Sequence, residues 1–178
     1  MPQLKMYWKN DGKAAAEVAV PSGCRIVSFT ELEDAVDKWL DIVQYGLSNG
    51  KQDGEFYRKV MTANATYSED RCFFVLENER AVATLAVLCD YEKKEGYIHM
   101  VACREDSRGK GYGTLLNRVA EYSLKKEGMQ TAFLTTDDWR IPAIKSYLRA
   151  GFTPDLSTDD FKARWEKIYA IIAEQRAI

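Results

Sequence analysis

The sequence predicts an α+β protein in which a mixed β-sheet is flanked by helices. The chain has 178 residues, which is a usual length for one domain. Hydrophobic residues make up 46% of it and charged residues 29%, a balance that is typical of a folded chain. Short apolar runs come first and then alternate with segments of helical periodicity, which favours a mixed sheet covered by helices.

The N-terminal part of the chain predicts two short strands and two helices. Asn10-Asp11-Gly12 is a turn signal after the first strand. Thr30 and Glu33 have the spacing of a capping box, and apolar residues at helical spacing follow them. The predicted strands are 4–9 and 25–29, and the predicted helices are about 31–48 and 55–63.

The rest of the chain predicts four strands and three helices. Asn78-Glu79 is a hairpin turn signal, Gly128 and Gly151 mark the ends of two helices, and Pro142 suits a first helical turn. Because the apolar runs are continuous, we expect the sheet to be buried on both faces over part of its area. The strands are 71–77, 80–89, 97–103 and 131–135, and the helices are about 114–126, 142–149 and 158–173.

The composition excludes several classes of protein. A net charge of −2 and a pI near 5.6 do not suit a nucleic-acid-binding protein. The longest apolar stretch, 81–89, is too short to span a membrane. The four cysteines form no C-x-x-C pair, so we expect no metal site, no disulfide framework and a cytoplasmic location. His99 is the only histidine, which excludes zinc sites that need two or three.

A glycine-rich turn between a predicted strand and a predicted helix carries the chemical signal. It reads Arg108-Gly-Lys-Gly-Tyr-Gly113 and follows the strand that ends at Cys103. The first N–H groups of a helix lack internal partners, and glycines allow a close approach of the backbone, so the turn predicts a phosphate site. Its spacing fits neither the Walker loop nor the dinucleotide pattern G-x-G-x-x-G.

Two motifs together resemble the GNAT superfamily of N-acetyltransferases. Arg108-x-x-Gly111-x-Gly113 is similar to the family's loop for the pyrophosphate of acetyl-CoA. A later helix of the family is similar to the motif Arg140-x-x-Ala143-Ile144-x-x-Tyr147-x-Arg149-x-Gly151-Phe152. The resemblance covers about 71–152, and a closing helix after Phe152 departs from the family, in which a strand usually follows.

The resemblance implies a GNAT-like α+β fold with a mixed, mostly antiparallel central sheet, whose splayed middle strands hold acetyl-CoA. It implies a single domain over 1–178. Residues 1–70 would supply a strand and the substrate-side helices, 71–152 the acetyl-CoA-binding core, and 153–178 the C-terminal helix. That last helix either covers the sheet or makes the contact of a homodimer.

The resemblance also assigns roles to residues. Tyr147 stands at the position of the family's general acid, which protonates the departing thiolate, and a phenol is protonated at neutral pH. Arg140 replaces a common asparagine and would contact the cofactor, a phosphate or a substrate carboxylate, unless it is only a solvated helix start. Cys103 is expected to be structural rather than a nucleophile. The residues implied in acetyl-CoA binding are Val101, Ala102, Cys103, Arg108, Gly109, Lys110, Gly111, Tyr112, Gly113, Thr114 and Arg140.

The general base is not fixed by the resemblance, because the family's glutamates are replaced here by Thr135 and Tyr97. His99 lies two residues after Tyr97, on the same strand face, and an imidazole pKa suits proton relay. The alternative for His99 is a buried, hydrogen-bonded side chain. Asp137, Asp138 or a water molecule are the other candidate bases, and the two aspartates are alternatively a helix N-cap pair.

The sequence therefore predicts an acetyl-CoA-dependent N-acetyltransferase with Tyr147 and His99 as catalytic residues and no metal. A primary amine would attack the thioester directly. The alternative is a catalytically silent acyl-CoA-binding or sensor module of the same fold. The expected partner is a small-molecule or peptide amine, with no nucleic acid and no membrane. The acceptor and the length of the donor's acyl chain stay open.

Overall fold

A seven-stranded sheet with helices on both faces forms the protein. The structure is a computed structural model and describes residues 2–48 and 50–175. The strands are β1 (Leu4–Lys9), β2 (Cys24–Ser28), β3 (Cys72–Glu77), β4 (Arg80–Asp90), β5 (Glu95–Cys103), β6 (Thr131–Thr136) and β7 (Thr153–Pro154). The helices are α1 (Ala35–Val43), α2 (Gly54–Tyr57), α3 (Tyr112–Lys126), α4 (Ile141–Arg149) and α5 (Asp159–Glu174).

The strand order is β2-β3-β4-β5-β6-β1-β7, and all pairs are antiparallel except β5 with β6. This arrangement confirms the predicted α+β class and its mostly antiparallel sheet. The division of 1–178 into three parts of one domain stays a prediction. Residues 1, 49 and 176–178, which it includes, lie outside the described residues.

Strand β4 forms the centre of the core and is buried along nearly all of its length. Leu85 and Val87 point into one apolar cluster with α3, α4 and α5, while Ala86 and Leu88 point into a second cluster with α1. Because alternate side chains of a strand face opposite sides, both faces of β4 are covered. The expectation of a sheet buried on both faces is confirmed for this strand.

The first predicted helix, 31–48, is wrong in its bounds and in its cap. The Glu31 carboxylate accepts hydrogen bonds from the Ser28 N–H at 2.6 Å and the Ser28 hydroxyl at 2.8 Å. This pair, rather than Thr30 and Glu33, forms the capping box, and it caps a single 3₁₀ turn. Asp34 then adopts φ +52°, so the chain bends before α1 begins.

Two other differences concern the ends of elements. The predicted helix at 55–63 is present, but after α2 it continues as a π-helical turn over Arg58–Thr62. The expectation that no strand follows Phe152 is wrong, because β7 does follow and pairs with β1 through Tyr7↔Thr153. Two residues of strand are too few to show periodicity, so the sequence does not reveal them. The other predicted elements lie within two residues of their expected bounds.

Strands β5 and β6 separate part-way along their length. Their pairing runs from Glu95↔Thr131 to Ile98↔Leu134 and stops there. Met100 has φ +52°, and the register of β5 with β4 shifts at this point. A bulge of this kind bends a strand away from its neighbour. As a result, no strand among the described residues lies on the β6 side of β5 from residue 99 to residue 103.

Candidate active site

The gap between β5 and β6 opens into a cavity of about 240 Å³. Tyr147 and Ala143 of α4 line it from one face of the sheet. His99 and Leu47 line it from the opposite face, where α1 packs. The cavity therefore has lining side chains from both faces of the sheet.

The glycine-rich turn has the geometry of an anion site. Gly109 and Gly111 adopt φ +80° and +87°, the left-handed region that glycine tolerates best. Within the described residues, the N–H groups of Gly109, Lys110 and Gly111 donate to no other group. A Cβ built on either glycine meets nothing within 4 Å, so the space above the turn is open. These unpaired N–H groups, together with the positive end of α3, fit a pyrophosphate.

The side chains of this turn are engaged by the protein itself. Arg108 donates a hydrogen bond to the Tyr45 carbonyl, and the Lys110 ammonium lies 2.8 Å from a Glu77 carboxylate oxygen. Tyr112 is buried, with its hydroxyl 3.9 Å from the Cys24 sulfur. Thr114 is exposed, and Gly113 packs near Ser146. The turn therefore offers backbone donors first, and its cations would have to exchange partners to reach a phosphate.

The exposed edge of β5 contains the other implied cofactor residues. Ala102 and Cys103 pair with β4 on one side only, so their second side is open to an extended ligand. Val101 packs against the cluster that includes α3 and α4. Burial raises the pKa of the Cys103 thiol to about 11, so the thiol is protonated at neutral pH and is a poor nucleophile.

Tyr147 is buried beneath the gap. Its hydroxyl has no hydrogen-bond partner among residues 2–48 and 50–175, yet the side chain lines the cavity. Burial raises the pKa of Tyr147 to about 12, and the nearby positive charge of Arg140 opposes this shift. The phenol is therefore protonated at neutral pH and has a proton to donate into the gap.

His99 lies across the gap, close to the ring of Tyr97, with 4.9 Å between ring centroids. Its Nε2 is 2.9 Å from the Val60 carbonyl oxygen, which can only accept, so Nε2 carries the hydrogen. In the neutral ring, Nδ1 then has the unshared electron pair. Burial lowers the pKa of His99, so the neutral form predominates at pH 7.

The two aspartates after β6 have different surroundings. Asp138 accepts a hydrogen bond from the Arg164 Nε at 2.9 Å. This contact holds the pKa of the carboxyl below its usual value and gives Asp138 a structural role. Asp137 accepts from Gln3 at 3.0 Å and from Arg140 at 2.9 Å, and it lines the cavity. The N-cap alternative is wrong, because the N-cap residue of α4 is Arg140 and neither aspartate caps it.

Arg140 is more than a solvated helix start. Its guanidinium bonds to Asp137 and to the Gly46 carbonyl and lies 4.5 Å from the centre of the exposed Trp139 ring. It also lines the cavity with Tyr147. Its positive charge therefore lies at the mouth of the cavity on the α4 side.

Comparison with known proteins agrees with this geometry. The model of the acetyltransferase (GNAT) family matches residues 36–152, well over half of the chain. The chain belongs to the GNAT family. No curated protein matches the chain in sequence.

Solved structures show the same fold at low sequence identity. A GCN5-related N-acetyltransferase from Sphaerobacter thermophilus aligns over 87% of the chain with a TM-score of 0.67 and 18% identity. The chain spans only 50% of that protein. The ribosomal-protein-S18-alanine N-acetyltransferase of Escherichia coli aligns over 73% of the chain and 77% of its own length, with a TM-score of 0.58 and 20% identity. The NatC complex bound to Gag peptide and CoA contains a chain with a TM-score of 0.59 and 16% identity, over 71% of this chain and 82% of that one.

Several lining residues of this GNAT site were not found from the sequence. Gln3, Leu47 and Met100 belong to three distant segments and reach the cavity only through the fold. Trp39 of α1 and Tyr57 of α2 are buried core residues and do not line the cavity. No local sequence signal marks Gln3, Leu47 or Met100. The φ of +52° at Met100 is explained by the bulge in β5.

Within the described part of the chain, no group of three or more histidine, cysteine, aspartate or glutamate residues could hold a metal ion. No helix in that part combines the length and the apolar character that crossing a membrane requires.

Proposed function

We propose that this GNAT protein is an acetyl-CoA-dependent N-acetyltransferase that acts on a primary amine. The observation that carries the proposal is the placement of Tyr147 and His99 on opposite sides of one gap in the sheet. A proton donor and a proton acceptor that face the same cavity suit a reaction in which an amine loses a proton and a thiolate gains one.

Backbone groups would hold the donor. The unpaired N–H groups of Gly109, Lys110 and Gly111, with those of the first turn of α3, suit the pyrophosphate. The open edge of β5 over Val101–Cys103 offers hydrogen bonds to an extended arm. When bound, acetyl-CoA supplies an activated acyl group as a thioester. Arg108, Lys110 and Arg140 would strengthen binding of the phosphates with their positive charges once they separate from their present partners.

His99 would serve as the base on the acceptor side. Its Nε2 donates to the Val60 carbonyl, which orients the ring and leaves Nδ1 to accept a proton, directly or through a water molecule. Its lowered pKa keeps the ring neutral at physiological pH. Asp137 is a second candidate base, although its carboxylate is already shared by Gln3 and Arg140.

Tyr147 would serve as the acid on the donor side. Its phenol keeps its proton at neutral pH, and no group within the described residues competes for that hydrogen bond. The hydroxyl is therefore positioned to donate to the sulfur as charge develops there. Arg140 on the same helix would stabilise the phenolate that is left.

The acceptor and the activity are tested together by release of thiol from acetyl-CoA. A panel of small amines, amino acids and peptides with free amino termini should include at least one that gives turnover. Tight binding of acetyl-CoA without turnover on any amine would favour the second candidate, a silent acyl-CoA-binding module. That candidate is supported by the hydrogen bond of His99 to Val60, which also suits a purely structural histidine.

Three other expectations are part of the proposal and rest on the sequence. These are a cytoplasmic location, the absence of nucleic-acid and membrane partners, and a homodimer. Of the two alternatives for α5, the first, covering the sheet, is confirmed, because its buried Trp165, Ile168 and Ile172 pack in the core cluster on the sheet. The length of the donor's acyl chain is a question for the same assay, with propionyl-CoA and butyryl-CoA compared with acetyl-CoA.

A further inference from the structure

Lys5 is a half-buried cation without a carboxylate partner among the described residues. Its ammonium lies 4.1 Å from the centre of the Phe133 ring and 5.1 Å from that of Tyr7. Two other cations near the gap have carboxylate partners, since Arg140 pairs with Asp137 and Lys110 with Glu77. A cation held over aromatic rings and left without an anion is a suitable contact for an anionic ligand.

A continuous row of rings joins this ammonium to the candidate base. The His99 ring lies 4.9 Å from Tyr97, and Tyr97 stacks on Phe133 at 4.6 Å with an angle of 10° between the planes. Phe133 then lies under the Lys5 ammonium. The row, His99-Tyr97-Phe133-Lys5, crosses three neighbouring strands, β5, β6 and β1, on one face of the sheet.

This face is open beside the cavity. Helices α3, α4 and α5 pack on the opposite face, while α1 covers β4 and β5. Tyr7, whose ring lies beside Lys5 at the end of the row, is 38% exposed. Thr135, which lines the cavity, pairs directly with Lys5 across the strands. An acceptor whose amine enters the gap can therefore lie along the row in solvent-accessible space.

We infer that the row is the acceptor site and that the acceptor is a peptide amino terminus followed by an acidic residue. This inference rests on the proposed N-acetyltransferase function. The amine would lie near His99, apolar or planar groups of the peptide would pack on Tyr97 and Phe133, and the carboxylate would pair with Lys5. An extended chain advances about 3.3 Å per residue, so the acidic residue belongs at about the third or fourth position.

The test compares matched peptides on matched variants. Tetrapeptide amides with a free amino terminus carry glutamate or glutamine at the second, third or fourth position. The readout is kcat/KM for thiol release from acetyl-CoA. We expect the protein to prefer glutamate over glutamine at the third or fourth position by about fivefold, the upper range for a partly exposed ion pair.

Lys5→Met should bring the glutamate-to-glutamine ratio close to one, and Lys5→Glu should favour a lysine-containing peptide instead. Lys9→Met is the control, because Lys9 lies on the same face of β1 but outside the row. It should keep the preference for glutamate. An unchanged acetyl-CoA Kd in each variant shows that the protein is folded, and Lys5→Gln replaces Lys5→Met if the latter is unstable.

The outcomes separate this inference from the proposed function. A preference for glutamate that survives Lys5→Met, or no preference at all, overturns the acceptor site on this row. Turnover with small amines but with none of the peptides also overturns it and leaves the N-acetyltransferase intact. If no amine of any kind gives thiol release from acetyl-CoA, the proposed function is contradicted, and the inference falls with it.

Discussion

The two sides of the gap between β5 and β6 are made of different kinds of groups. On the proposed donor side, the groups that would hold acetyl-CoA are mainly backbone N–H groups and one strand edge from a continuous stretch, 101–114. On the proposed acceptor side, the groups are side chains of Lys5, Leu47, His99 and Phe133, which lie far apart in sequence. A backbone site requires glycines at fixed spacing, whereas a side-chain site requires only that the fold bring residues together. Motifs therefore describe the donor side and say little about the acceptor side.

Tyr147→Phe tests the chemistry between the two sides and has the largest expected effect. Removing the hydroxyl should lower kcat on the order of a hundredfold, because proton donation to the leaving thiolate is lost. The Kd for acetyl-CoA, measured by titration calorimetry, should hardly change. Tyr169→Phe, at an exposed tyrosine of α5, is the matched control. A Tyr147→Phe protein with normal kcat would remove the phenol from the mechanism.

Gly111→Ala tests the donor side. A Cβ at φ +87° is strained, so the loop should leave this conformation and the Kd for acetyl-CoA should rise about tenfold. Gly12→Ala is a close control, since Gly12 has φ +73°, also has open space around it and lies in an exposed turn. Equal effects of the two substitutions on acetyl-CoA affinity would mean that the turn is not the phosphate site.

His99→Gln tests the acceptor side through pH. The pKa of His99 is lowered by burial, so in the natural protein kcat/KM should decline only below the usual imidazole range, as Nδ1 becomes protonated. The variant should lose this acidic limb and fall by about tenfold at neutral pH. Because the chain has one histidine, the NMR titration of its ring gives the pKa directly. An acidic limb that persists in the variant would return His99 to a structural role.

Asp138→Asn tests the claim that this aspartate is structural. The substitution should leave kcat unchanged. Its ion pair with the buried Arg164 should instead contribute about 1–2 kcal/mol to the free energy of unfolding. Since the pKa of Asp138 is lowered in the folded protein, this contribution is present above the unfolded value near 4 and is lost on acidification below it. Urea unfolding of the natural protein and the variant at pH 7 and pH 3 measures this contribution to the free energy of unfolding and its loss on acidification. A loss of kcat would make Asp138 a candidate base again.

The sequence predicted the elements better than it predicted the site. Periodicity and glycine punctuation located the strands and helices, because those signals are local. The first helix was misplaced because two capping boxes compete, and the strand pairing that fixes Ser28 selected the earlier one. The donor turn was found from its glycines, and Tyr147 from its helix motif. Lys5 and Leu47 were missed because their relation to His99 exists only after β1 pairs with β6 and α1 packs on the sheet.

The central claim is that donor and acceptor occupy different sides of the same gap, and backbone amide NMR tests it most directly. Addition of acetyl-CoA should shift the amide signals of Gly109, Gly111 and Gly113 and those of Val101–Cys103. Signals of Lys5 and Phe133, on the opposite side, should stay in place until a peptide acceptor is added. Loop glycines that do not respond to acetyl-CoA, or a first response at Lys5 and Phe133, would contradict the account.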